Sequence, residues 1–327
     1  MKRKGRAFMG VFDFPVDKLK EYQGTNPCPK DFDEYWERAL KEMKAVDPQI
    51  ELVPSEFQVP FAECFDLFYT GVKGARIHAK YLRPKNAPEP HPAVIQFHGY
   101  SGNAGDWSDK LGYVAAGFTV VAMDCRGQGG LSEDVGGVKG NTLHGHIIRG
   151  LESGPDELLF RHIFLDAAQL AGIVMDMPEV DETRVGAMGG SQGGGLTLAC
   201  AALEPRIKRL APVFPFLSDY QRVWEMDLAK NAYQEITDYF RRFDPTHKTR
   251  EEFFTTLGYI DVQHLAKRIQ GEVLMATGLM DQVCPPSTQF AAYNKIQSKK
   301  EVVLYPDFGH EGLPGFNDMT MQFMLKL

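Results

Sequence analysis

Val185-Gly186-Ala187-Met188-Gly189-Gly190-Ser191-Gln192-Gly193-Gly194-Gly195-Leu196 is the stretch whose reading decides the fold. An apolar run, Val185–Met188, leads into G-x-S-x-G and then a helical run, Leu196 to Leu203. Strand, tight turn and helix in that order are what a nucleophile elbow requires. The glycines let strand and helix pass closely, and the helix N-terminus places backbone N–H groups beside the serine. A phosphate-binding loop does not fit. The lysine of G-x-x-x-x-G-K-[ST] is missing, G-x-G-x-x-G spacing is missing, and the stretch comes late in the chain.

Outward from the elbow, short apolar runs alternate with helical patterns. The runs are Ala93–Phe97, Thr119–Met123, Val185–Met188, Leu210–Val213, Val273–Thr277 and Val302–Tyr305. Helical patterns cover Trp107–Ala116, Phe160–Met175, Gly193–Ala202 and Pro286–Lys295. Strands fed by crossover helices make a mostly parallel sheet covered on both faces. Upstream, a helix is expected from Asp31, its N-cap, to Ala45. Extended segments follow at Glu56–Pro60, Cys64–Thr70 and Arg76–Arg83, the last two joined as a hairpin through Gly71 to Gly74. The Pro-rich stretch Pro84 to Pro92 reads as a surface connection. This layout is that of an α/β-hydrolase fold with an N-terminal helical and antiparallel extension. One domain is expected over 1–327, with residues 1–50 as the extension. A segment from Asp219 to about Thr256, rich in aromatics at helical spacing, reads as an insertion near the active edge of the sheet.

In this fold the triad runs Ser, then Asp or Glu, then His. After Ser191 the histidines are His247, His264 and His310. His310 lies in a loop just past the run Val302–Tyr305 and becomes the base, whereas His247 and His264 read as surface residues. Asp281 follows the run Val273–Thr277 and is the first choice of acid, with Asp307 second. The oxyanion donors are the backbone N–H groups of Gln192 and of Tyr100, in His98-Gly99-Tyr100-Ser101-Gly102 after an early strand. Tyr100 also borders the substrate. His98 reads as holding its loop by a side-chain hydrogen bond. Arg126 could bind a substrate carboxylate; a salt bridge locking loops beneath the site is the favoured role.

Composition narrows the setting. The chain has 327 residues and a formal net charge of −7, with 43% hydrophobic and 24% charged residues. That profile belongs to a folded globular protein and does not suit a nucleic-acid binder or a peripheral membrane protein drawn to anionic lipid. Five scattered cysteines with no C-x-x-C pair disfavour a disulfide framework or a zinc site and fit a reducing compartment. The basic start Met1-Lys2-Arg3-Lys4-Gly5-Arg6 is not followed by an apolar signal core.

Taken together, Arg126-Gly127-Gln128, Gly190-Ser191-Gln192-Gly193-Gly194 and His310-Glu311 resemble the cephalosporin C deacetylase/acetyl xylan esterase family of carbohydrate esterases. His98-Gly99-Tyr100, Asp181-Glu182-Thr183-Arg184, Tyr239-Phe240-Arg241-Arg242 and Pro285-Pro286-Ser287-Thr288 extend the match along nearly the whole chain. The resemblance implies a serine esterase removing acetyl groups from xylo-oligosaccharides, other small acetylated alcohols and cephalosporin C. It implies a cytoplasmic location and a homohexamer built as a trimer of dimers, and acyl transfer on a serine triad needs no metal or organic cofactor. It assigns Ser191, Asp281 and His310 to the triad and Tyr100 and Gln192 to the oxyanion hole. The chain departs from the family's pattern between Gly154 and His162. The family tends to carry several tyrosines there, where this chain has Leu158, Leu159 and Phe160; the departure bears on local packing or the acyl site. A serine peptidase of the same fold and a non-catalytic hydrolase-fold binding protein are the competing readings.

Overall fold

The computed structural model describes residues 13–87, 90–135 and 141–327. The basic start at residues 1–6, and residues 88–89 of the Pro-rich connection, lie outside the described residues. Nine strands form one sheet: β1 (Glu51–Pro54), β2 (Ala62–Thr70), β3 (Arg76–Pro84), β4 (His91–Phe97), β5 (Thr119–Met123), β6 (Val180–Gly190), β7 (Arg209–Val213), β8 (Glu272–Gly278) and β9 (Lys300–Tyr305). Their spatial order is β1-β2-β3-β5-β4-β6-β7-β8-β9. The β1/β2, β2/β3 and β3/β5 pairs are antiparallel, and every pair from β5 to β9 is parallel.

The central strands are apolar at successive positions because both faces of the sheet are covered. Side chains alternate across a strand, so Ala93, Ile95 and Phe97 of β4 enter one core while Val94 enters the other. The first core packs against the helices Phe32–Lys44, Leu159–Met175 and Gln192–Leu203. The second packs against Leu111–Ala115 and Phe316–Met324. Trp36 anchors the N-terminal helix. It is fully buried, stacks on Phe164 at 6.0 Å and donates its indole N–H to Tyr259 O at 3.1 Å. Asp31 occupies the N-cap position and its carbonyl accepts from Tyr35 N at 2.8 Å, but its carboxylate does not cap the helix and accepts from the Tyr259 hydroxyl instead. Leu158, Leu159 and Phe160 are buried in this same core.

Two expectations are corrected. Residues 56–60 do not form a strand: β1 lies earlier, and this segment contributes only an isolated bridge between Val59 and Ala62. Ser55 and Gln58 divert the backbone, with Phe57 N donating to Ser55 Oγ at 3.3 Å and Gln58 Nε2 to Ser55 O at 2.9 Å. His264 is not a surface residue but only 8% exposed. The helix Val262–Leu265 lies against the N-terminal helix, whose Phe32 ring meets His264 edge-on at 5.7 Å. Burial lowers its pKa to about 4. His247 is exposed, as expected.

Between β7 and β8 the chain folds as the helices Tyr220–Glu225, Gln234–Phe243, Arg250–Gly258 and Val262–Leu265, with short 3-10 turns. The entrance is Asp219, buried and in the left-handed region at φ 53°. Its carboxylate accepts from the Tyr22 hydroxyl at 2.7 Å, Thr25 N at 3.0 Å and Asn26 N at 2.8 Å. Its own N–H donates to Asp261 Oδ2 at 2.9 Å. Asp tolerates that backbone conformation better than most residues.

Candidate active site

Ser191 stands at the tip of a strand–helix turn: β6 ends at Gly190 and the helix Gln192–Leu203 follows at once. Its backbone adopts φ 58° and ψ −119°. Such a conformation costs roughly 1–3 kcal/mol and persists only where the surroundings over-determine it. Ser191 N donates to Val213 O at 3.0 Å, and Ser191 O accepts from Gly195 N at 3.1 Å and Phe216 N at 3.0 Å. The helix passes so close to the end of β4 that a Cβ on Gly193 would lie 2.1 Å from Phe97 O.

β8 and β9 deliver the other two residues. Asp281 is fully buried just past β8. Its Oδ1 accepts from Val283 N at 2.9 Å and Cys284 N at 2.8 Å, while Oδ2 lies 2.8 Å from His310 Nδ1. The acid facing the histidine is therefore Asp281, not Asp307. With Nδ1 taken by the carboxylate, Nε2 is the ring nitrogen left for proton transfer. Phe214 packs against the imidazole, with centroids 4.4 Å apart.

Cys284 completes this cluster. Its sulfur, a nitrogen of His310 and a carboxylate oxygen of Asp281 lie within 4.8 Å of one another. Among the described residues this is the one His/Cys/Asp/Glu grouping compact enough to hold a metal ion. Burial and the charge of Asp281 push the pKa of Cys284 far up, so it is a protonated thiol rather than a rival nucleophile.

The oxyanion candidates lie on two elements joined by one side chain. Gln192 opens its helix, where the first N–H groups have no intrahelical acceptor. Tyr100 lies in the loop after β4. Gln128 bridges the two: its Oε1 accepts from Ser101 N at 2.9 Å and from Gln192 Nε2 at 3.0 Å, and its Nε2 donates to Gln192 Oε1 at 2.9 Å. His98 braces the same loop as expected. Cys125 N donates to its Nε2 at 3.0 Å, and its Nδ1–H donates to Gly99 O at 2.7 Å. Both bonds need the neutral ring, and burial lowers its pKa accordingly.

Arg126 does not face a substrate. It is fully buried and binds Asp166 through two N–O contacts of 2.6 Å, Nε to Oδ2 and Nη2 to Oδ1. Gln128, Cys284, Phe214 and Glu235 (described below) escaped sequence reasoning. Gln128 lies in the quoted Arg126-Gly127-Gln128 motif, and Cys284 follows Asp281 by three positions; for Phe214 and Glu235 no local signal exists.

The sheet order, the parallel crossovers and the elbow define an α/β-hydrolase. The chain belongs to the acetyl xylan esterase family: the family model described as Acetyl xylan esterase (AXE1) matches residues 9–327. It is similar to acetyl xylan esterase 1 from Thermoanaerobacterium sp. JW/SL YS485, with 72% identity and a TM-score of 0.94, covering 96% of this chain and 99% of that one. An acetyl xylan esterase from Paenibacillus sp. R4 is 38% identical with a TM-score of 0.87, covering 95% of this chain and 99% of that one. Acetyl esterase Axe7A of Xylanibacter ruminicola is 27% identical over 325 residues, which span 96% of this chain and 70% of that protein. The protein is a carboxylic ester hydrolase. No helix among the described residues is long and apolar enough to cross a membrane.

Proposed function

We propose that this enzyme removes acetyl groups from xylo-oligosaccharides and other small acetylated alcohols, the acetyl ester of cephalosporin C included, through an acetyl-enzyme on Ser191. His310 Nε2 takes the Ser191 proton as Oγ bonds to the acetyl carbonyl carbon. The N–H groups of Tyr100 and Gln192 hold the oxyanion. Collapse breaks the ester C–O bond, and His310 returns the proton to the leaving alcohol oxygen. Water, deprotonated by the same nitrogen, then releases acetate and restores the serine. The observation that carries the reading is the 2.8 Å contact between His310 Nδ1 and the fully buried carboxylate of Asp281, beside the elbow.

The whole chain reads as one α/β-hydrolase domain, with residues 1–50 as an N-terminal extension and about 219–256 as an insertion near the site. A cytoplasmic homohexamer, a trimer of dimers, completes the proposal. The family resemblance supports both parts, and five free cysteines accord with a reducing compartment. Light scattering of the purified enzyme tests the hexamer.

Ser191→Ala should abolish acetate release from an acetylated aryl ester; turnover above a few per cent of wild type would overturn the reading. A series from acetate to octanoate esters tests the acyl preference, with a steep fall after propionate expected.

A further inference from the structure

Glu235 is 7% exposed in the first turn of the helix Gln234–Phe243, between β7 and β8. Its Oε1 accepts from the Tyr100 hydroxyl at 2.6 Å, and its Oε2 accepts from Ile148 N at 2.9 Å. His146 N donates to the same phenol oxygen at 3.3 Å. The Tyr100 ring packs edge-on against His146 at 4.8 Å and Phe216 at 5.7 Å, and Phe216 N donates to Ser191 O at 3.0 Å. A buried carboxylate that binds only neutral donors is an expensive way to stabilise a fold. Here it fixes a side chain whose backbone N–H belongs to the oxyanion loop.

We propose that Glu235 is a positioning residue for the oxyanion loop, acting through the phenol of Tyr100. The inference rests on the reading in which Tyr100 N–H is an oxyanion donor. Two donors point at two separate carboxylate oxygens, so the ionised form suits the site. A proton on either oxygen weakens that oxygen as an acceptor and loosens its hold on the loop. Burial, opposed by these hydrogen bonds and by Arg149, raises the carboxyl to about 7. The other titratable or charged groups around it are Tyr100, His146 and Tyr220, with His144, Asp238 and Arg242 along the neighbouring groove. Arg149 itself pairs with Asp134. Loop positioning, and with it turnover, therefore weakens as pH falls through the neutral range.

The test compares wild type, Glu235→Gln, Tyr100→Phe and the double variant on an aryl acetate from pH 5.5 to 9, with melting temperatures alongside. At pH 8.5 each single variant should lose about tenfold in kcat with KM within about twofold, because the donor is displaced and not removed. The double variant should lose no more than the worse single, since both changes cut one linkage. The kcat ratio of wild type to Glu235→Gln should shrink towards one as pH falls below 7, where wild-type Glu235 is itself protonated. A ratio that does not change with pH, a multiplicative double variant, or an effect confined to KM would overturn the proposal. Tyr100→Phe keeps the backbone donor and carries the same test if Glu235→Gln does not fold. If Ser191→Ala is inactive while Glu235→Gln matches wild type at every pH, this inference alone fails. An active Ser191→Ala removes the reading beneath it.

Discussion

Gln128 and Gln192 exchange side-chain hydrogen bonds in both directions, at 2.9 and 3.0 Å, with both residues fully buried. One amide thus holds the residue after Tyr100 and the side chain of the residue after Ser191 in a fixed relation. Gln128→Leu removes three hydrogen bonds and leaves Ser101 N and the Gln192 amide without these partners. Each buried polar group left unpaired costs about 1–3 kcal/mol. Part of that cost should appear as a kcat lowered roughly tenfold or more, since oxyanion donors act by placement. Steady-state kinetics on an aryl acetate check this; an unchanged kcat in a folded variant would remove Gln128 from the site.

Two glycines flanking Ser191 should respond oppositely to alanine. At Gly193 the added Cβ meets Phe97 O at 2.1 Å, with backbone that cannot retreat. At Gly190 the nearest atom is a carbon of the Phe214 ring at 3.5 Å, ordinary contact. Gly193→Ala should fail to give soluble, folded enzyme, while Gly190→Ala should fold with a melting temperature within a few degrees of wild type. Circular dichroism melts distinguish them.

Asp281→Asn should separate chemistry from folding. The amide oxygen can still accept from Val283 N and Cys284 N, so the loop keeps its shape. The imidazole loses the carboxylate that selects its tautomer and stabilises its protonated form. The corresponding change in serine triads lowers kcat about 10⁴-fold. Folding should be nearly unchanged by denaturant titration.

The Arg126–Asp166 pair lies at 0% exposure on both sides. Arg126→Met strands a buried carboxylate and should cost about 3–5 kcal/mol. The double change Arg126→Met with Asp166→Leu should recover most of that loss. Urea titration of the three proteins measures it; equal losses for single and double variants would contradict the account.

A buried histidine, His78, makes stability depend on pH. His78 Nδ1 lies 2.7 Å from Asp124 Oδ2 and its Nε2 lies 2.9 Å from Asp66 Oδ1. Burial alone would lower its pKa, but the two carboxylates outweigh burial and raise it above 6.5. Burial would raise Asp124, but His78 and the N–H groups of Leu131 and Ala104 hold it below 3.8. The His78 contribution is fully present below its unfolded value and is lost as pH rises through the raised folded value. The Asp124 contribution is present above its unfolded value and is lost as pH falls through the lowered one. His78→Asn should therefore lower the melting temperature most between about pH 4 and 6.5 and least near pH 9.

The turn at Ser191 and the pairing of Asp281 with His310 were legible in the sequence because each residue lies just past a strand, and chain order singles out such positions in this fold. The central strands were legible because double-sided burial leaves an unbroken apolar run. The failures share a cause. Residues 56–60 have strand composition, but Ser55 and Gln58 capture the backbone locally. His264 has a polar identity on a short helix, and residues far away in the chain, Phe32 among them, bury it. Glu235 meets Tyr100 across 135 positions of chain, and no spacing rule spans that distance.

Asp219, held by Tyr22, Thr25 and Asn26, makes the helices between β7 and β8 a poor candidate for modular exchange. A chimaera that moves those helices into a relative carries along a buried carboxylate whose partners lie nearly 200 positions earlier in this chain. Residues 22–26 must travel with the transplanted helices, so the unit open to swapping is discontinuous.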